Sequence, residues 1–175
     1  MYYEKAMPAN FCEYVRRSVD WAAAEDATVY KEGDGEVSKV LRRASIVSQD
    51  LMSPIGSVCK NYLIDGERNG QWAKVICDFD VVQIIRYGQG GHYVWHNDVL
   101  PPRDGKKRAV SLVMLLNDPK EFAGGLLQLK DKSDNLLKNI GDIVVFDSKA
   151  EHRVTPVTSG VRYTAVCWAY TPHEE

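Results

Sequence analysis

The four cysteines, Cys12, Cys59, Cys77 and Cys167, are scattered without any C-x-x-C pair, so neither a disulfide framework nor a zinc ribbon is indicated. Reduced, mostly buried thiols are the expectation. No apolar run approaches the roughly 20 residues of a membrane span, and the opening Met-Tyr-Tyr-Glu-Lys-Ala-Met-Pro is too polar for a secretory leader. A soluble, cytoplasmic protein with no membrane partner is expected. A basic excess is also missing. With 22 Lys and Arg against 24 Asp and Glu, the formal charge is -2, which removes the electrostatic ground for a nucleic-acid partner. The one basic run, Lys106-Lys107-Arg108, reads as a solvated turn. No internal repeat or interdomain linker breaks the 175 residues, and 45% hydrophobic content is enough for one compact domain.

The pattern of what is present divides the chain in two. Residues 1–77 read as mostly helical support. Phe11, Val15, Val19 and Ala22 recur at helical spacing after Pro8, and a second helix is predicted from Ser53-Pro54 with Ile55, Val58 and Tyr62 on one face. The Gly- and charge-rich loop Lys31–Glu36 lies between them. Residues 78–171 read as short β-branched and aromatic runs at 79–87, 92–96, 109–116, 126–129, 143–146, 154–158 and 161–170, separated by turn signals such as Gly88-Gln-Gly-Gly91, Asp131–Asp134 and Ser159-Gly160. The fold class predicted is mainly β, a sandwich or jelly roll with N-terminal helices packed on one outer face.

Only four histidines occur, His92, His96, His152 and His173. His96 and Asp98 sit two apart in a predicted strand, so an imidazole and a carboxylate project side by side. His152, from a later strand, would complete a two-histidine, one-carboxylate set that leaves open positions on non-haem Fe(II). Zn(II) with three protein ligands is the competing metal. Arg162, ten residues beyond His152, would add a fixed cation to the same cavity. If Arg162 points inward, strand alternation brings Thr164, Val166 and Trp168 with it, making Trp168 a candidate pocket wall or an ordinary core aromatic. His92 reads as a surface residue, and His173 as part of a fraying tail.

Arg86-Tyr-Gly-Gln-Gly-Gly-His-Tyr-Val-Trp-His-Asn-Asp98, His152-Arg-Val-Thr-Pro-Val-Thr-Ser-Gly-Val-Arg162, Leu116-Asn-Asp-Pro119 and Gly124-Gly125 resemble the iron- and 2-oxoglutarate-dependent dioxygenases, particularly small microbial members of the prolyl and lysyl hydroxylase branch. The resemblance covers roughly residues 79–171 and implies a double-stranded β-helix. It implies that His96, Asp98 and His152 hold Fe(II), that Arg162 and Tyr87 bind 2-oxoglutarate, and that O2 is the second cosubstrate, with room for ascorbate as an auxiliary. Tyr93 and Arg108 match positions that face substrate, and each reads equally as packing or as a solvated strand end. One departure stands out: Leu115 occupies a position where oxygen-sensing and collagen-type members carry a tyrosine that helps bind the distal carboxylate.

The implied reaction hydroxylates an unactivated C–H bond while 2-oxoglutarate and O2 become succinate and CO2. A prolyl residue in a peptide or protein is the leading substrate, with the loop Val99–Lys107 and the segment Asp65–Lys74 as candidate lids. A free amino acid or other small metabolite is the alternative. From a different class, a non-catalytic jelly-roll binding module would share the fold without needing the three ligands and Arg162.

Overall fold

The computed structural model describes residues 1–31, 34–132 and 134–173, with the backbone alone over 30–31 and 34–37. Glu32 and Gly33 of the expected charged loop, and Ser133 of the expected turn at 131–134, lie outside the described residues. Two helices are present, α1 (Ala9–Ser18) and α2 (Pro54–Gly70). Helix α2 starts as its sequence predicts: Ser53 caps it by accepting the Gly56 N–H at 3.2 Å, and Pro54 fills the first turn, where a missing donor does no harm. It ends at Gln71, in left-handed conformation with φ 53°. The buried stripe is Ile55, Cys59, Leu63 and Gly66, while Val58 and Tyr62 lie on its flank. At Gly66 a Cβ would meet Val145 Cγ1 at 2.6 Å, so glycine sets how closely the helix approaches the sheet.

The strands are β1 (Tyr2–Tyr3), β2 (Glu25–Asp26), β3 (Thr28–Lys31), β4 (Asp34–Val37), β5 (Arg42–Arg43), β6 (Ser45–Gln49), β7 (Asp78–Phe79), β8 (Val82–Tyr87), β9 (His92–His96), β10 (Lys106–Leu115), β11 (Phe122–Gly124), β12 (Leu127–Leu129), β13 (Ile143–Asp147), β14 (His152–Val154), β15 (Val157–Gly160) and β16 (Arg162–Pro172). The major sheet runs β1-β13-β10-β16-β8-β6-β2, with β7 also paired to β16. The minor sheet runs β12-β14-β9-β5, and β11-β15 and β3-β4 form two-stranded ribbons. This is a jelly roll with helices on the outer face of the major sheet.

Two cores follow from the alternation of strand side chains. On β16, Ala165, Cys167 and Ala169 join Cys59 and Leu63 beneath the helices. Val166 and Trp168 point the other way, into the space between the sheets with Phe146 and Val154. Covered on both faces from Ala109 onward, β10 there reads in sequence as an apolar run broken only by Ser111.

The front of the chain departs from the helical expectation. Apart from α1, α2 and a one-turn 3-10 helix at Trp21–Ala23, its ordered segments are strands, and β6 and β5 belong to the major and minor sheets. These strands are two to five residues long, too short for a period to declare itself in sequence. Helix α1 stops at Ser18, so Val19 packs from the cap and Ala22 lies beyond it. The basic run Lys106–Arg108 opens β10, where Lys106 pairs with Asp78 at 2.6 Å. His173 is also tied down, its backbone N–H bonded to Gly105 O at 2.8 Å.

Candidate metal centre

Strand pairing brings the two histidines together: His152 on β14 faces His96 on β9, with ring centroids 4.1 Å apart. Each ring is oriented by its own strand. His96 Nδ1 lies 2.8 Å from Val94 O, and His152 Nδ1 lies 2.9 Å from Ala150 O. A carbonyl oxygen only accepts, so each Nδ1 carries a hydrogen, which in the neutral ring leaves the lone pair on Nε2. Both Nε2 atoms lie 3.5 Å from Asp98 Oδ1, close to the spacing of about 3 Å between neighbouring corners of an octahedron with bonds of about 2.1 Å. The three donors lie within 4.8 Å of one another, so the set fits a divalent ion.

Asp98 is held by side chains. Its Oδ2 accepts from Ser111 Oγ at 2.7 Å and from Trp168 Nε1 at 3.0 Å, and Ser148 Oγ lies 2.9 Å from Ser111 Oγ. Its backbone N–H donates to Ser148 O at 2.9 Å. Oδ2 is therefore occupied and Oδ1 is turned to the imidazoles. Burial opposes ionisation of Asp98, but the positive charge that His152 and His96 carry when protonated, together with the Trp168 N–H, outweighs it and holds the carboxyl below the usual range. Burial lowers the His152 pKa against the opposing pull of Asp98, favouring the neutral imidazole that a metal requires.

The triad opens onto a cavity of about 300 Å³ between the sheets, whose lining also includes Tyr87, Thr164 and Arg162. Arg162 is 2% exposed, its Nη2 has no hydrogen-bond partner, and its Cζ lies 5.3 Å from the centre of the Tyr87 ring. Burial lowers its pKa to about 10, with Tyr87 partly opposing. Two motifs hold Arg162 in place. Asn117 accepts the Tyr163 N–H and donates to Val161 O, both at 2.9 Å, gripping the backbone on either side. Gly125, with φ +60°, leaves room for the arginine stem: a Cβ there would lie 2.8 Å from Arg162 Cδ. Leu115 is buried and registers with Thr164, whose side chain lines the cavity.

Tyr93, Arg108 and Trp168 also line the cavity, each tied to a neighbour. Tyr93 stacks on His96, with centroids 3.4 Å apart. Arg108 lies 3.9 Å over Trp168 and pairs with Asp80 at 2.8 Å, so it is a largely covered, neutralised cation and not a solvated strand end. Trp168 is both a wall of the cavity and a donor to Asp98. Of the two expected lids, Val99 and Leu100 reach the cavity, but the segment Asp65–Lys74 does not. It is the end of α2 and its following turn, and Lys74 is held by Asp147 at 2.7 Å. Thr28 and Val29 of β3, with Leu41 and Arg42, line the cavity in its place. His92 is a structural link, with its ring nitrogens 3.0 Å from Gly90 O and 2.8 Å from Val40 O.

Several of these residues escaped sequence reading. Ser111 carried a usable signal as the lone polar residue of an apolar run that had to be buried, and Asn117, though part of a quoted motif, gave no sign of its grip on the strand of Arg162. Arg42 and Thr28, on strands too short to show a period, carried none.

Residues 82–170 match the family model described as the 2OG-Fe(II) oxygenase superfamily. The chain belongs to that superfamily. Membership implies Fe(II), 2-oxoglutarate and O2 as cofactor and cosubstrates. A PKHD-type hydroxylase of Pseudomonas putida is 32% identical over 167 residues, covering 91% of this chain and 71% of that one. Another, from Teredinibacter turnerae, is 34% identical over 88 residues, which is 47% of this chain but only 39% of the relative. The chain thus spans less than two thirds of the length of the first curated relatives it matches. Among solved structures, a viral collagen prolyl hydroxylase from Paramecium bursaria Chlorella virus-1, in complex with 2OG, superposes with TM-score 0.76 at 15% identity, covering 98% of this chain and 95% of that one. That likeness is one of fold.

Proposed function

We propose that this chain is an Fe(II)- and 2-oxoglutarate-dependent dioxygenase that hydroxylates an unactivated C–H bond, with a prolyl residue of a peptide or protein as its leading substrate. The observation that carries the reading is Arg162, a guanidinium 2% exposed whose buried Nη2 has no hydrogen-bond partner, on the wall of the cavity that opens on His96, Asp98 and His152. Burying an unpaired charge costs several kcal/mol, a cost that an anionic ligand offsets. A planar fork suits a carboxylate, and Tyr87 and Thr164 line the same cavity. Neither a hydrolytic zinc site nor a non-catalytic jelly roll requires such a cation for its metal or its fold.

His96, Asp98 and His152 would hold Fe(II), and Arg162 the distal carboxylate of 2-oxoglutarate. When bound, the ion couples oxidative decarboxylation of 2-oxoglutarate to hydroxylation of substrate. The chain's own part is to aim both imidazoles, to favour the neutral form of His152, to hold Oδ2 of Asp98 away from the open positions, and to exclude water with Trp168, Val166 and Val113. A peptide substrate is supported by the mouth of the cavity, where Val94, Trp95 and Val99 are 38%, 41% and 43% exposed. An apolar rim of this kind is typical of surfaces that receive a partner.

The test is to incubate the protein with Fe(II), 2-oxoglutarate and a library of proline-containing peptides, measuring succinate and products heavier by one oxygen atom. His96→Ala, Asp98→Ala and His152→Ala should each lose metal binding and turnover while retaining the circular dichroism of the wild type. Wild-type succinate release in any of the three removes the triad assignment. Oxidation of a free metabolite, with no peptide oxidised, overturns the peptide part alone.

A further inference from the structure

The cavity contains a second buried guanidinium, which that reading leaves unused. Arg42, on β5, is 8% exposed and lines the cavity on its minor-sheet side. One of its nitrogens, Nη1, donates to Thr28 O at 3.0 Å, and its Cζ lies 4.5 Å from the centre of the Tyr93 ring. Tyr93 in turn stacks on His96, so the cation is two stacked groups away from the candidate centre. Nε of Arg42 is buried without a partner, and no carboxylate among the described residues pairs with it. Arg108 shares the cavity but is already neutralised by Asp80.

Charge decides what Arg42 lacks. On the proposed reading, which this inference rests on, the ion, Asp98, the dianionic cosubstrate and Arg162 balance to neutrality, as do Arg108 and Asp80. Among the described residues that line the cavity, Arg42 is the charge left over. The Thr28 carbonyl and the face of Tyr93 offset part of its burial but supply no counter-charge. A main-chain carbonyl of substrate would satisfy one N–H and leave the same imbalance. A carboxylate would satisfy both.

We infer that Arg42 receives a carboxylate carried by the substrate, so that this enzyme selects an anionic substrate. The carboxylate belongs to an acidic side chain or chain terminus beside the target residue, or is the α-carboxylate of a free amino acid.

The experiment uses matched pairs. Proline-containing peptides with Asp or Glu beside the proline are set against Asn or Gln, free C-termini against amides, and free proline against prolinamide. Binding is titrated without O2, in the presence of Fe(II) and 2-oxoglutarate, and oxidation is followed by mass spectrometry. Wild type should prefer the acid of at least one pair by about tenfold, and the pair that responds identifies the source of the carboxylate. The preference should vanish in Arg42→Gln and persist in part in Arg42→Lys, which keeps the charge without the fork. The titrated 2-oxoglutarate affinity of each variant reports whether its cavity is intact, and Arg42→Lys serves should Arg42→Gln not fold. Equal binding of acid and amide in every pair overturns the inference, as does an undiminished preference in both variants. If no succinate forms with any substrate, the dioxygenase reading falls, and the difference in binding still decides the role of Arg42.

Discussion

The indole nitrogen of Trp168 lies 3.0 Å from Oδ2 of Asp98, so one aromatic side chain both walls the cavity and aims the carboxylate of the candidate centre. Its neighbour in this task is Ser111, 2.7 Å from the same oxygen. Partners of a ligand that do not touch the ion still set its affinity. Trp168→Phe keeps most of the buried surface and deletes the donor. Its affinity for Mn(II), read by isothermal titration, should fall by about 10- to 100-fold with little change in secondary structure. Unchanged affinity would mean that Ser111 alone suffices.

Arg162→Ala should weaken 2-oxoglutarate binding by one to two orders of magnitude, the equivalent of roughly 1.5–3 kcal/mol for a charge-assisted contact. Metal affinity should change little. Arg162→Lys should recover only part of the loss, since the point charge lacks the paired donors. Isothermal titration with 2-oxoglutarate decides between this anchor and another.

Gly125→Ala tests the same subsite without altering a polar atom. The new Cβ would press on Arg162 Cδ and Val157 Cγ2, at 2.8 and 3.0 Å, on a backbone with φ +60°. A cost of about 1 kcal/mol in stability is expected from the left-handed conformation. The displaced arginine should lower 2-oxoglutarate affinity several-fold. A stability loss with affinity intact would show that the arginine stem yields freely.

The first strand supplies a prediction in pH. Burial, reinforced by a 2.5 Å bond to Asp65, raises the Tyr3 phenol to about 12. A phenol that ionises later in the folded than in the unfolded chain contributes stability that is whole below pH 10, the unfolded value, and is lost as pH climbs toward 12. Tyr3→Phe should therefore lose stability less steeply over that interval, as urea midpoints measured at stepped pH would reveal. Parallel curves for both proteins would place the tether elsewhere.

Where local chemistry decides structure, the sequence was legible. Ser53-Pro54 announced the start of α2, β9 spans the expected residues 92–96, and the alternation that placed Trp168 beside Arg162 on one face of β16 holds. The triad and Arg162 were visible as a set because histidine is rare here, and the structure brings all four to one cavity. What was hidden depends on distant pairing. Arg42 is next to Tyr93 only because β5 joins β9, and no local period in Arg42-Arg43 says so. The segment Asp65–Lys74 looked like a lid for the same reason, since its polar residues do not reveal which face of the major sheet α2 covers.

The two imidazoles are oriented by main-chain carbonyls, Val94 O and Ala150 O, while the carboxylate is oriented by the side chains of Ser111 and Trp168. Substitution at positions 94 and 150 leaves a carbonyl in place, so mutation has no direct means of erasing either histidine's orientation. The oxygen corner is replaceable piece by piece. Evolution, or a designer seeking another ion or a different reactivity, finds its adjustable handle at positions 111 and 168, with the nitrogen side held constant by the strands themselves.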